Sequence, residues 1–205
     1  MGMLGRTIRW LGVVCLLAVA LPAIADSRTR GVADQALALL ASGDAMSLAA
    51  MHHYPPTYTS EELETDTRAV GKGLGFLLNR FGDPRAPTLS TTAATYYEIG
   101  STGGTNAYWA SAAPTQLETL MYHADFAKLG KGFVKVDVVI FAREGKPQIK
   151  GVAFCLPQTP QSKKLVLSAM RDLLVEIGIP IPDHFDRLAE QSLQAITPPP
   201  ARLGE

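Results

Sequence analysis

Residues 133–156 read FVKVDVVIFAREGKPQIKGVAFCL, and the alternation inside this stretch decides the fold. Val134, Val136, Val138 and Ile140 recur at every second position and so share one face of a strand. Phe133, Lys135, Asp137, Val139 and Phe141 share the other. Glu144-Gly145-Lys146-Pro147 turns the chain, and Gln148 to Leu156 returns as a second strand. A connection this short joins antiparallel neighbours, because parallel strands need a long crossover.

Upstream, the same character persists. Leu117 to Phe126 reads as a strand after an Ala113-Pro114 turn. Thr91 to Ile99, rich in Thr, Tyr and Ala, and Thr105 to Ala110, with Tyr108 and Trp109, read as two more. The sum is a curved antiparallel meander of about five strands.

Helical spacing brackets the meander. Val32, Ala33, Ala36, Leu37, Leu39 and Leu40 form one apolar face. Ser42-Gly43 breaks that helix, and Asp44 caps a short second one through Met51, with Met46, Leu48, Ala49 and Ala50 giving it bulk. His52-His53-Tyr54-Pro55-Pro56 ends it, since each proline disfavours helical geometry before it. Thr59-Ser60-Glu61-Glu62 is a capping box, and Leu63, Val70, Leu74, Leu77, Leu78 and Phe81 make the buried stripe of the helix it starts. Gly82-Asp83-Pro84 stops that helix. After the strands, Ser162 precedes an amphipathic helix using Leu165, Val166, Ala169, Leu173 and Ile177, closed by Gly178 and Pro180. A last helix is expected from Asp183 to Ile196, with Phe185, Leu188, Ala189 and Ile196 facing inward. The class is therefore α+β: N-terminal helices packed on a curved antiparallel sheet, with two C-terminal helices.

The chain's beginning has a different logic. Arg6 and Arg9 precede the uncharged run Leu11 to Leu21, and Pro22-Ala23-Ile24-Ala25 supplies small residues for a signal peptidase. The run is about half the roughly 20 apolar residues that span a bilayer. Cys15 sits inside it after Val14, which is the wrong place for lipidation. The expectation is a signal peptide over 1–25, cleaved after Ala25, a single domain over 26–197 and a flexible tail over 198–205. The mature protein is then periplasmic or secreted, with no stable membrane insertion.

Lys+Arg and Asp+Glu each number 19, so no basic field exists to gather phosphates and nucleic acid is an unsuitable partner. Without Cys15 the mature chain keeps only Cys155, too few for an internal disulfide, a CxxC motif or a cysteine zinc site. Neither a cofactor nor a metal is expected.

Helix, Ser42-Gly43-Asp44 break, second helix, and terminal long strands joined by the charged turn Glu144-Gly145-Lys146 resemble the superfamily typified by nuclear transport factor two and ketosteroid isomerase. The resemblance covers roughly Val32 to Leu156. It implies a curved sheet wrapped around helices with an apolar cavity, an arrangement that serves isomerases, dehydratases, small-ligand binders and protein-interaction modules alike. The two terminal helices depart from the simplest form of that fold.

Candidate chemical groups are few. His123 and Asp125, two apart on one strand, project from the same face as Met121 and form the one plausible acid–base pair. Tyr96, Tyr97, Tyr108, Trp109 and Tyr122 concentrate in the expected sheet. Alternation sets Tyr96 against Tyr97 and Tyr108 against Trp109, so Tyr96, Tyr108, Trp109 and Tyr122 are the ligand-contact candidates. His52-His53 with Glu61 and Glu62 lacks the three or four converging ligands that zinc needs. Gly71-Lys72-Gly73-Leu74-Gly75 lacks Walker spacing and lies in a helical pattern, where close packing explains it better than phosphate. Cys155 reads as a small buried hydrophobe. The functional expectation is a non-enzymatic binding module for a small apolar ligand or an envelope protein partner, with a homodimer through the sheet as one possible assembly. The alternative is a lyase- or isomerase-like enzyme using His123 and Asp125 with a sheet tyrosine.

Overall fold

Gly43, at φ +74°, ends helix α1 (Ser27–Ala41), and the Asp44 carboxylate accepts from the Ser47 amide to start helix α2 (Ala45–Ala50). The capping box also forms. Thr59 Oγ1 accepts from the Glu62 amide and Glu62 Oε2 from the Thr59 amide, which launches helix α3 (Ser60–Phe81). Val70, Leu74, Leu77, Leu78 and Phe81 are buried as expected. Leu63 is not: one turn into α3, it is 43% exposed. These and the following features come from a computed structural model that describes residues 27–90, 96–176, 178 and 180–187. The leader with Cys15 and its cleavage site, residues 91–95 of an expected strand, Ile177, the end of the last helix with Leu188, Ala189 and Ile196, and the 198–205 tail lie outside the described residues.

The strands are β1 (Pro84–Leu89), β2 (Tyr96–Thr102), β3 (Gln116–Phe126), β4 (Gly130–Ile140) and β5 (Pro147–Pro157), in the spatial order β1-β3-β4-β5-β2. Every pair is antiparallel and the sheet is curved, with helices on both sides. The α+β architecture is thus as the alternation implies, but only β3-β4-β5 is a meander. β2 crosses to the far edge, beside β5.

Two elements correct the sequence reading. Pro84 was expected only as a helix stop, yet it opens β1. The strand tolerates Pro84 and Pro87 because it is an edge strand, whose register also shifts between Arg85 and Thr88. Thr105 to Ala110 is not a strand. Thr105 Oγ1 accepts from the Tyr108 amide and caps helix α4 (Asn106–Ser111), so a local cap outweighs the strand preference of Tyr and Trp. Tyr108 and Trp109 therefore lie on neighbouring helical faces and not on opposite faces of a sheet.

Val134, Val136, Val138 and Ile140 are all buried, on the face that receives the helices. Leu120, Tyr122, Ala124 and Phe126 of β3 and Ile99 of β2 join them there, with Ala36 and Leu40 of α1 and Leu74 and Phe81 of α3 above. Ile149 and Val152 of β5 both turn inward although three positions separate them. The register shifts after the Asp137–Gly151 pair, and Lys150 is the extra residue that restores the phase. Phe154 packs against Phe126 and Phe81 with the rings tilted, at centroid distances of 5.3 and 6.0 Å. Helix α5 (Pro160–Glu176) lies against α3 and β2. Its buried residues are Ser162, Val166, Ala169, Met170 and Leu174, so the helix is rotated slightly from the expected stripe and Leu173 sits beside Gly73 of α3. Phe185, in a following helical turn, also reaches the core.

Candidate functional site

The far face of the sheet, turned away from α1, α3 and α5, carries the unusual chemistry. Its rows follow from the register. His123, Phe133, Cys155 and Glu98 lie in one row across β3, β4, β5 and β2, and Met121, Lys135, Ala153 and Gly100 in the next. Thr119, Asp137, Gly151 and Thr102 form the third. Small residues at Ala153 and Gly100 let the Lys135 side chain lie across β5 toward β2.

Lys135 is 6% exposed, an unusual position for an ammonium group. Its Nζ donates to Glu98 Oε1 at 2.6 Å and sits 3.3 Å from Asp137 Oδ2. The Thr119 hydroxyl donates to Asp137 Oδ1 at 2.6 Å. Tyr96, Met121, Ala153 and Cys155 form a small buried cluster beside these charges, with Phe133 packed against it.

Two polar atoms in this group are buried without a hydrogen-bond partner: the Tyr96 hydroxyl and Glu98 Oε2. Burial holds the Tyr96 phenol well above its ordinary value, with Cys155, Lys135, Glu98 and Asp137 all acting on it electrostatically. Burial also raises the Glu98 carboxyl, and Asp137 adds to that, while Lys135 and, from farther away, Lys150 oppose it. Burial alone would lower Lys135. Asp137 and Glu98 outweigh it and hold the ammonium firmly protonated. A single ammonium is shared by two carboxylates, which overcompensates the cation, while at Glu98 burial outweighs the pull of that ammonium.

A second polar corner joins α2, α4 and the β4–β5 turn. His53 is 4% exposed. Its Nε2 accepts from the Tyr108 hydroxyl at 2.6 Å, while its Nδ1 pairs with Gln148 Oε1. Phe141 stacks on the imidazole at 4.5 Å, and Glu144 Oε2 stands 3.9 Å from Nδ1. Trp109 donates its indole N–H to the Gly103 carbonyl and carries the Lys150 ammonium 5.2 Å above its ring. Both ring nitrogens of His53 are therefore used internally, and the corner fastens α4 to the sheet.

No family model, curated protein or solved structure matches the chain.

The residues singled out in the sequence do not converge. Tyr96 lies in the far-face cluster, Tyr108 and Trp109 in the His53 corner. Tyr122 lies on the helix-packed face, where its hydroxyl donates to Asp34 Oδ1 at 3.3 Å. His123 and Asp125 are both exposed, and His123 packs against Phe133 at 4.6 Å. Among the described residues, their exposure leaves the alternative lyase- or isomerase-like pair without an enclosing site. His52 and His53 diverge. His52 turns into the core, donates from Nδ1 to the Leu48 carbonyl at 3.0 Å, and is held neutral because burial lowers its pKa to about 4. Glu62 is spent on the cap of α3. Gly71 lies where a Cβ would be 2.2 Å from Met46 Sδ of α2, in line with the close-packing explanation. Cys155 is fully buried. The groups missed were Glu98, Lys135, Asp137 and Thr119. The available signal was Lys135 and Asp137 standing on the second face of a strand whose first face is entirely aliphatic.

Proposed function

We propose that the protein is an exported, non-enzymatic binding module whose site is the far sheet face around Tyr96, Glu98, Lys135 and Cys155. The observation that carries this reading is the pair of buried, unpartnered polar atoms, Tyr96 Oη and Glu98 Oε2, next to the apolar surface of Met121, Phe133 and Ala153. Buried polar groups in native proteins are almost always paired, and an exception is accounted for by strain, by a bound water or ion, or by a functional role such as ligand binding. An apolar body with one well-placed polar group satisfies both parts of such a site. The side chains of Glu98 and Asp137 are 13% and 15% exposed at the rim of the cluster, while Glu98 Oε2 and the Tyr96 hydroxyl are themselves buried, so a ligand reaches them by displacing the side chains around them. Export rests on the leader read from residues 1–25. A place in the superfamily of nuclear transport factor two and ketosteroid isomerase belongs to the same reading, supported by the order of helices and strands.

The test is an amide-resolved NMR titration of the mature chain with n-hexanol. Binding at the proposed face shifts the amides of Tyr96, Glu98 and Cys155 together. Shifts confined to the His53 corner, or none here and none with a charged probe of the same chain length, would refute it.

A further inference from the structure

The geometry points to a small organic cation as the ligand, an ammonium group on an apolar body, held by Glu98 Oε2 and the Tyr96 hydroxyl oxygen. This rests on the binding reading above and narrows it to one chemical class.

Asp137 Oδ1 is taken by Thr119, Asp137 Oδ2 and Glu98 Oε1 by Lys135. Of the four carboxylate oxygens in the cluster, only Glu98 Oε2 lacks a donor, and it is buried. Tyr96, two residues away on the same strand face and 93% buried by its 7% exposure, directs a second unpartnered oxygen into the same cluster. The charges do not balance: one ammonium, Lys135, faces two carboxylates. Lys150 is the next cation, and its ammonium is placed over Trp109.

A ligand that brings both a positive charge and N–H donors corrects both deficits. An alkylammonium can donate to Glu98 Oε2 and to Tyr96 Oη while its chain lies on Met121, Phe133 and Ala153. An alcohol supplies one donor and no charge. A carboxylate supplies neither and adds a third anion beside Glu98 and Asp137. Charge-assisted hydrogen bonds of this kind are about twice as strong as neutral ones, so the preference is measurable. A proton on Glu98 would compete with the ligand, so affinity falls on acidification.

The experiment uses the full mature chain and three probes of equal chain length: n-hexylammonium, n-hexanol and n-hexanoate, at pH 7.5, followed by calorimetry with NMR mapping. Hexylammonium is expected to bind about tenfold more tightly than either of the others, with the amides of Tyr96 and Glu98 shifted. Glu98→Gln, nearly isosteric and still able to accept from Lys135, is expected to erase that preference. Tyr96→Phe is expected to weaken hexylammonium about threefold and leave hexanol unchanged. Equal affinity for all three probes at these amides would overturn the cation assignment and leave the binding reading standing. Failure of every probe to move Tyr96, Glu98 and Cys155, in protein whose spectrum shows it folded, would overturn both.

Discussion

Replacing Tyr96 with phenylalanine should stabilise the ligand-free protein. The ring is 7% exposed and packs with Met121, Ala153 and Cys155, contacts that phenylalanine keeps. Only the hydroxyl is lost, and it is buried with no hydrogen-bond partner. An unsatisfied buried hydroxyl costs about 1–3 kcal/mol in proteins, so its removal should return about 1 kcal/mol or more. For a domain of this size that raises Tm by about 2–4 °C per kcal/mol. Tyr122→Phe is the matched control. Its hydroxyl donates to Asp34, and its loss should cost about 0.5–1.5 kcal/mol. Urea unfolding of both variants, with unchanged m values, measures the two effects in one series. The opposite signs are the prediction. A Tyr96→Phe variant that loses about 1 kcal/mol would mean that the hydroxyl already has a partner, and the site argument would fail.

Four further perturbations test the surrounding structure. Because burial raises Glu98 above its ordinary 4.5 in the folded state, its share of stability is full below about pH 4.5 and is lost as pH rises through the raised value. Urea melts of Glu98→Gln from pH 4 to 8 should lack that decline, and a wild-type profile parallel to the variant's would count against a strained Glu98. His52 has the opposite sign: with its pKa lowered from 6.5 to about 4, it supports folding above pH 6.5 and withdraws about 3 kcal/mol as pH falls to 4. A His52→Leu variant measured in the same melts should lose this acid-side slope. Finally, a Cβ at Gly103 would stand 2.2 Å from the His53 carbonyl oxygen, a backbone atom that cannot move aside, so Gly103→Ala should destabilise by about 1–3 kcal/mol in thermal melts. Gly71→Ala meets only the flexible end of Met46, which is 49% exposed, and should be neutral or gain up to about 1 kcal/mol of helix propensity.

What the sequence disclosed follows from the range of the interactions. The β3-β4-β5 hairpins were legible because alternation and short turns are local, and so were the Asp44 cap and the Thr59–Glu62 box. Helix α4 was misread because the local signals conflict: Tyr108 and Trp109 favour a strand, while Thr105 caps a helix. Strand β1 was hidden by Pro84 and Pro87, which only an edge position tolerates. The cluster itself was out of reach. Glu98 meets Lys135 only because β2 travels to the edge beside β5 and pairs Glu98 with Cys155, itself opposite Phe133. That register is set by tertiary packing, and Lys135 and Asp137 alone name no third partner. The His53 corner was equally non-local, since Gln148 lies 95 positions and Tyr108 55 positions away. The adjacent histidines take separate partners, His52 the Leu48 carbonyl and His53 the Gln148 and Tyr108 side chains, and adjacency in sequence announces neither set.

Native mass spectrometry of the protein taken from its own compartment addresses the central claim most directly. The account predicts a chain beginning at Asp26 that carries a small cationic molecule, retained in the wild type and lost in the Tyr96→Phe, Glu98→Gln double variant. A chain that still begins at Met1, or a bare polypeptide mass from gently prepared wild-type protein, would contradict it.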